Sequence, residues 1–257
     1  MATVKKLHFA SRGEGPALVL LHPVGLDHSF WGGLVELCSR KYRVIAVDLR
    51  GHGRSPSAEG GENVADYVKD IEALFRDSQI TSATVLGLSF GGMIAQELAI
   101  RRPDLVERLV AAACGARIPP EASQDVRARG DKADKFGMEA VVDETIERWF
   151  MPDFRSSKEV SRVRERLLTD SPAGWNAAWG AIAGHDTLAR LPELTMPSLV
   201  VIGDHDAGTS MAAAEALADA IPISTLKVIQ GAPHMLQIEC PNRFAEAVFP
   251  FLGMSGA

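Results

Sequence analysis

What the chain lacks narrows its chemistry before any motif is read. Its 257 residues include only three cysteines, Cys38, Cys114 and Cys240. They are odd in number, far apart and without the paired spacing of metal or redox sites, so they read as reduced thiols and no metal site is visible. Cys114 closes a strongly apolar run, which marks it as a core residue rather than a nucleophile. Positive charge is not in excess: the formal net charge is −6. Lysine and arginine are interspersed with aspartate and glutamate, which leaves no basic field for nucleic acid or anionic lipid. No apolar run is long enough to span a bilayer, and Lys5 and Lys6 precede no stretch of signal-peptide type. The reading is a soluble cytoplasmic protein with no nucleic-acid or membrane partner. Repeats and low-complexity tracts are missing as well, so the order of short apolar runs carries the organisation.

What is present is enough apolar side chain for a large core, 46% hydrophobic against 23% charged. Ala17–Leu21, Arg43–Asp48, Ala83–Gly87, Leu109–Ala113, Ser198–Ile202 and Thr225–Ile229 read as short strands. Helical patterns over Val64–Asp77 and Phe90–Ala99 alternate with them. Apolar strands alternating with helices indicate the α/β class, a mostly parallel sheet covered on both faces. Between the fourth and fifth of these strands, Ile118 to Arg190 has helical patterns only, bracketed by Pro119-Pro120 and Leu191-Pro192. An insertion there overlies the carboxyl ends of the strands, where open α/β sheets take their ligands.

Gly87-Leu88-Ser89-Phe90-Gly91 follows a strand and opens a helix. That setting is what a Gly-x-Ser-x-Gly nucleophile elbow requires: a strained turn lifts the Ser89 hydroxyl clear of the sheet, and the flanking glycines admit the close backbone approach. A serine hydroxyl needs a base, and the base needs an acid to orient it. Gly203-Asp204-His205-Asp206 and Gly231-Ala232-Pro233-His234 lie in loops after the last two strands and supply both, with Asp204 and Asp206 each open as the acid.

On these residues the chain resembles the α/β-hydrolase superfamily, in particular small serine esterases, haloperoxidase-like hydrolases and 3-oxoadipate enol-lactonases. The resemblance also rests on His22-Pro23-Val24-Gly25 with Trp31, on Asp48-Leu49-Arg50-Gly51-His52-Gly53-Arg54-Ser55, and on Glu239 and Pro241 after His234. It implies an α/β-hydrolase core over residues 1–117 and 191–257, with a helical cap over 118–190. It also implies a catalytic triad of Ser89, Asp206 and His234, with Asp206 preferred because the family sets the acid three residues after the glycine. Backbone N–H groups of Phe90 and Val24 are the expected oxyanion hole; Pro23 stands where many relatives have glycine, but Val24 keeps its N–H. His22, His52 and Arg54 read as structural, His205 as a neighbour of the acid, and His8 and His28 have no visible partner.

Trp149, Trp175 and Trp179 of the cap are candidate substrate-binding residues, although large aromatics could equally form the cap's own core. Near the end of the cap, Ala181-Ile182-Ala183-Gly184-His185-Asp186 lacks the arginine that holds a substrate carboxylate in many enol-lactonases, which points to a neutral ester or lactone. The expected activity is cofactor-free hydrolysis of a carboxylic ester or lactone. Enol-lactone opening, perhydrolysis and carbon–carbon bond hydrolysis are alternatives on the same triad, and a ligand receptor is an alternative on the same fold. Dehalogenases and epoxide hydrolases of this superfamily are disfavoured, since they carry aspartate where this chain has Ser89.

Overall fold

The computed structural model describes residues 3–254. In chain order it contains β1 (Phe9–Arg12), β2 (Ala17–Leu21), α1 (Gly33–Cys38), β3 (Arg43–Val47), α2 (Val64–Asp77), β4 (Ala83–Leu88), α3 (Phe90–Arg101) and β5 (Val106–Ala112). Then come α4 (Pro120–Phe136), α5 (Glu139–Trp149), α6 (Lys158–Leu168) and α7 (Pro172–Ala183). The chain returns to the sheet with β6 (Ser198–Gly203), α8 (Met211–Ala220), β7 (Ser224–Ile229), α9 (Leu236–Glu239) and α10 (Pro241–Val248).

Among the described residues the seven strands form one sheet in the order β1-β3-β2-β4-β5-β6-β7. Only β1 runs antiparallel, against β3; the other pairings are parallel. Every residue of β4 and β6 is buried, which is why these segments read as unbroken apolar runs. β7 departs from the expectation of strands covered on both faces. It is an edge strand with Lys227 and Val228 exposed. β1 carries no sequence signal of its own, because its four residues are mostly exposed and do not alternate; pairing of Phe9 with Val47 and of Arg12 with Val44 creates it. β5 starts at Val106, ahead of the apolar run, because its pairing with β4 reaches back to Ala83, with Glu107 and Arg108 exposed at its entry.

Local chemistry explains the helix starts. Asn63 and Asp66 form a capping box on α2, and the side chains of Ser157, Ser171 and Ser210 accept N–H groups in the first turns of α6, α7 and α8. Helix α3 differs: Ser89 is its N-cap position but makes no capping bond, so its hydroxyl stays available. The helices α4 to α7 are tied to the core beside the carboxyl end of β2, where Arg166 of α6 pairs with Asp27 at 2.8 Å. Among the described residues, no helix is long and apolar enough to cross a membrane.

Candidate active site

The turn from β4 into α3 holds Ser89 at φ 53° and ψ −117°, a conformation that costs a non-glycine residue about 1–3 kcal/mol. Two features hold it there. The Ser89 N–H donates to Ala112 O at 2.7 Å and Met93 N–H donates to Ser89 O at 3.1 Å. A Cβ on Gly87 would lie 2.1 Å from Gly91 O, and one on Gly91 2.0 Å from Leu21 O, so only glycine lets β2, β4 and α3 meet this closely.

His234 stands in the loop after β7 and joins the two other residues. Its Nε2 lies 3.0 Å from Ser89 Oγ, and its Nδ1 lies 2.8 and 2.9 Å from the two carboxylate oxygens of Asp206. Donation of Nδ1–H to Asp206 fixes the neutral tautomer whose Nε2 lone pair faces the Ser89 hydroxyl, and such an arrangement can accept the hydroxyl proton. The Asp206 side chain is fully buried, and Oδ1 also accepts N–H groups from Gly208 at 2.7 Å and Thr209 at 2.8 Å. Asp204 is engaged elsewhere: its Oδ1 takes His205 Nδ1 at 2.9 Å and Ala232 N–H at 3.3 Å. The structure thus brings Ser89, His234 and Asp206 together and leaves Asp204 and His205 outside.

A cavity of about 500 Å³ opens over Ser89 and His234, bordered by Val24, Met93, Trp149, Trp179 and Ile182. This is an ordinary size for a small-molecule site. Val24 is buried in the loop after β2, and Phe90 begins α3, where backbone N–H groups are free of helical partners. Neither N–H has an acceptor among the described residues. His22 positions the Val24 loop: in the tautomer its contacts require, Nδ1–H donates to Pro23 O at 2.7 Å and Nε2 accepts Leu49 N–H at 2.9 Å. Burial, with the neighbouring His52 adding to it, holds the His22 ring well below its ordinary proton affinity, so it is a neutral strut.

Trp149 and Trp179 border the cavity, and the Trp149 ring lies 6.5 Å from that of His234. Trp175 does not. It stands one turn before Trp179, packs edge-on to it at 5.7 Å, and fills the seam over Gly25 while its Nε1–H donates to Arg129 O at 3.1 Å. It packs among the helices α4 to α7 and the Gly25 loop, whereas Trp149 and Trp179 border the cavity. His52 Nδ1–H donates to Arg50 O at 3.0 Å beside His22, away from the cavity lining.

His8 and His28, without partners in the sequence, converge on Asp48 at the end of β3. Asp48 is fully buried and accepts His8 Nδ1 at 2.9 Å, His28 Nδ1 at 2.7 Å, His28 N–H at 2.8 Å and Arg54 N–H at 2.9 Å. Burial pushes this carboxyl up, but the hydrogen bonds from His28 and Arg54 outweigh it and hold Asp48 below the usual carboxylate range. Because two backbone N–H groups lose their acceptor, Asp48→Ala is expected to lower the unfolding free energy by about 3 kcal/mol, read by urea denaturation. A change below about 0.5 kcal/mol would show that the cluster holds nothing together.

Comparison with known proteins bears on this geometry. The model of a family described as the alpha/beta hydrolase family matches residues 18–247. A 3-oxoadipate enol-lactonase of Acinetobacter baylyi is 31% identical over 246 residues, covering 94% of this chain and 91% of that protein. A pimeloyl-[acyl-carrier protein] methyl ester esterase of Aeromonas hydrophila is 30% identical over 253 residues, 94% of this chain and 97% of that one. The crystal structure of an enol-lactonase from Burkholderia xenovorans superposes with a TM-score of 0.92 at 31% identity, covering 97% of both chains.

Proposed function

The chain belongs to the α/β-hydrolase family, and from that premise we propose that it is a cofactor-free serine hydrolase of carboxylic esters or lactones, working through an acyl-enzyme on Ser89. The observation that carries this reading is His234 bridging Ser89 Oγ and the buried Asp206. Ser89 Oγ attacks the substrate carbonyl as His234 Nε2 takes its proton. Asp206 holds the ring orientation and stabilises the imidazolium. The oxygen that gains negative charge faces the N–H groups of Val24 and Phe90. Collapse of the tetrahedral species breaks the bond to the leaving oxygen, which takes the proton from His234. Water, deprotonated by His234, then attacks the acyl-enzyme and releases the acid and Ser89. In a lactone the leaving alcohol stays attached, so the product is one hydroxy or keto acid. Trp149 and Trp179 wall the acyl pocket.

Support for ester and lactone chemistry comes from the names of the similar proteins, enol-lactonases and a methyl ester esterase. The test pairs a fluorophosphonate with 4-nitrophenyl acetate, butyrate and octanoate. The expected result is one phosphonyl adduct, mapped by mass spectrometry to the peptide carrying Ser89, together with steady 4-nitrophenol release that the adduct abolishes. An adduct elsewhere, or turnover that survives full labelling of Ser89, would remove the nucleophile assignment.

A further inference from the structure

The cavity lining is largely apolar, yet Arg117, Arg129 and Arg148 border it. No carboxylate among the described residues forms an ion pair with any of the three, whereas Arg164 and Arg166 of the same cap are matched to Asp143 and Asp27. Arg129 is half-buried, with its guanidinium 4.9 Å from the centre of the Trp179 ring. Its proton affinity is lowered by burial and by the charge of Arg148, which sets the two cations close enough to repel. The acids that face Arg129 do not cancel this: Glu144 is taken by Lys132 at 2.9 Å, and Asp125 is exposed. Trp179 is buried, and its Nε1–H has no acceptor. Unmatched cations on one wall of an apolar cavity are a standing cost that an anionic ligand relieves.

We propose that Arg129 and Arg148 form an anion subsite in the cavity, so that the preferred substrate is an ester or lactone bearing a carboxylate remote from the bond that is cut. The guanidinium of Arg129, stacked on Trp179, is held in place for a planar carboxylate, and Arg148 supplies a second charge next to Trp149. The subsite arises from α4 and the end of α5 rather than from the end of the cap, and it reverses the sequence-based expectation of a neutral substrate. It rests on the reading of the cavity as an acyl-hydrolase site.

The test compares mono-4-nitrophenyl adipate with 4-nitrophenyl hexanoate, acyl groups of equal chain length that differ in the terminal carboxylate. Wild-type kcat/KM is expected to favour the hemi-adipate by about tenfold or more at low ionic strength, chiefly through KM, and salt should erode that preference. Arg129→Gln and Arg148→Gln should each shrink the preference by about tenfold, with partial recovery in Arg129→Lys. Binding of monomethyl adipate and methyl hexanoate to Ser89→Ala protein, followed by calorimetry, separates the two readings. Turnover without preference for the charged ester, or loss on both esters alike in the variants, overturns the subsite. Arginine-dependent binding of monomethyl adipate in a protein that hydrolyses neither ester supports the subsite and overturns the hydrolase reading.

Discussion

Ser89→Ala is expected to lower kcat on an activated carboxylic ester by roughly 10,000-fold or more, because in the proposed mechanism the covalent route disappears with the hydroxyl and only the proposed oxyanion N–H groups and the pocket remain. The substitution should leave the fold intact, since Ser89 makes no capping bond and its side chain is bonded to His234 alone. Stability separates the serine's chemical role from its conformational one. Ser89→Gly removes the same hydroxyl but relaxes the φ of 53°, so it should be more stable than Ser89→Ala by about 1 kcal/mol. Asp206→Asn keeps the shape of the loop while putting a donor opposite Nδ1, which disfavours the tautomer that the proposed mechanism uses; a loss of about 1,000-fold or more is expected. Asp204→Asn touches neither Ser89 nor His234 and should stay within about threefold of wild type. Steady-state kinetics and thermal melts on the four variants check the set. Equal losses for the two aspartates would mean that the acid is not Asp206 acting on His234.

Acidification is expected to destabilise the protein well above the pH at which carboxylates titrate. His22 is held well below its ordinary value by burial and by His52, and burial lowers His185 to about 4. In the unfolded chain both rings take up protons near pH 6.5. Between that value and the folded pKa, the unfolded state binds a proton that the folded state refuses, so stability falls as pH falls. The slope is about 1.4 kcal/mol per pH unit for each ring, or about 2 kcal/mol apiece by pH 5. Asp70, Asp170 and Glu239 oppose this, because burial raises their carboxyls and they gain protons ahead of the unfolded chain. Asp48 and Glu97 add to acid loss only at lower pH: burial alone would raise both, but their hydrogen bonds hold them below the ordinary range. The measurement is urea unfolding at pH 7 and pH 5 for wild type, His22→Gln and His185→Gln. Each variant should lose about one proton's worth of pH slope; slopes equal to wild type would mean that neither ring is kept neutral by the fold.

Much of the site was legible in the sequence because its signals are local. Strand, Gly-x-Ser-x-Gly and helix occupy neighbouring residues, and the strained turn at Ser89 follows from that local order. The choice between Asp204 and Asp206 was not local. Both lie on one loop, and capture of Asp206 by the Gly208 and Thr209 N–H groups turns that carboxylate toward His234. Trp175 and Trp179 gave the same signal, four positions apart on one helix, yet one fills the seam over Gly25 and the other borders the cavity. His8, His28 and Asp48 offered no motif, since they meet only when β1 pairs with β3.

The amino-acid sequence by itself determined the α/β class, the helical segment between β5 and β6 and the loops that carry Ser89, Asp206 and His234, because side-chain periodicity, capping residues and glycine placement act over a few neighbouring positions. The tertiary structure decided which carboxylate reaches the histidine, which tryptophan meets the cavity and where its positive charge gathers. Those outcomes depend on contacts between segments as distant as Ser89 and His234, 145 positions apart, and burial and charge at such meetings are set only once the sheet and its covering helices have packed.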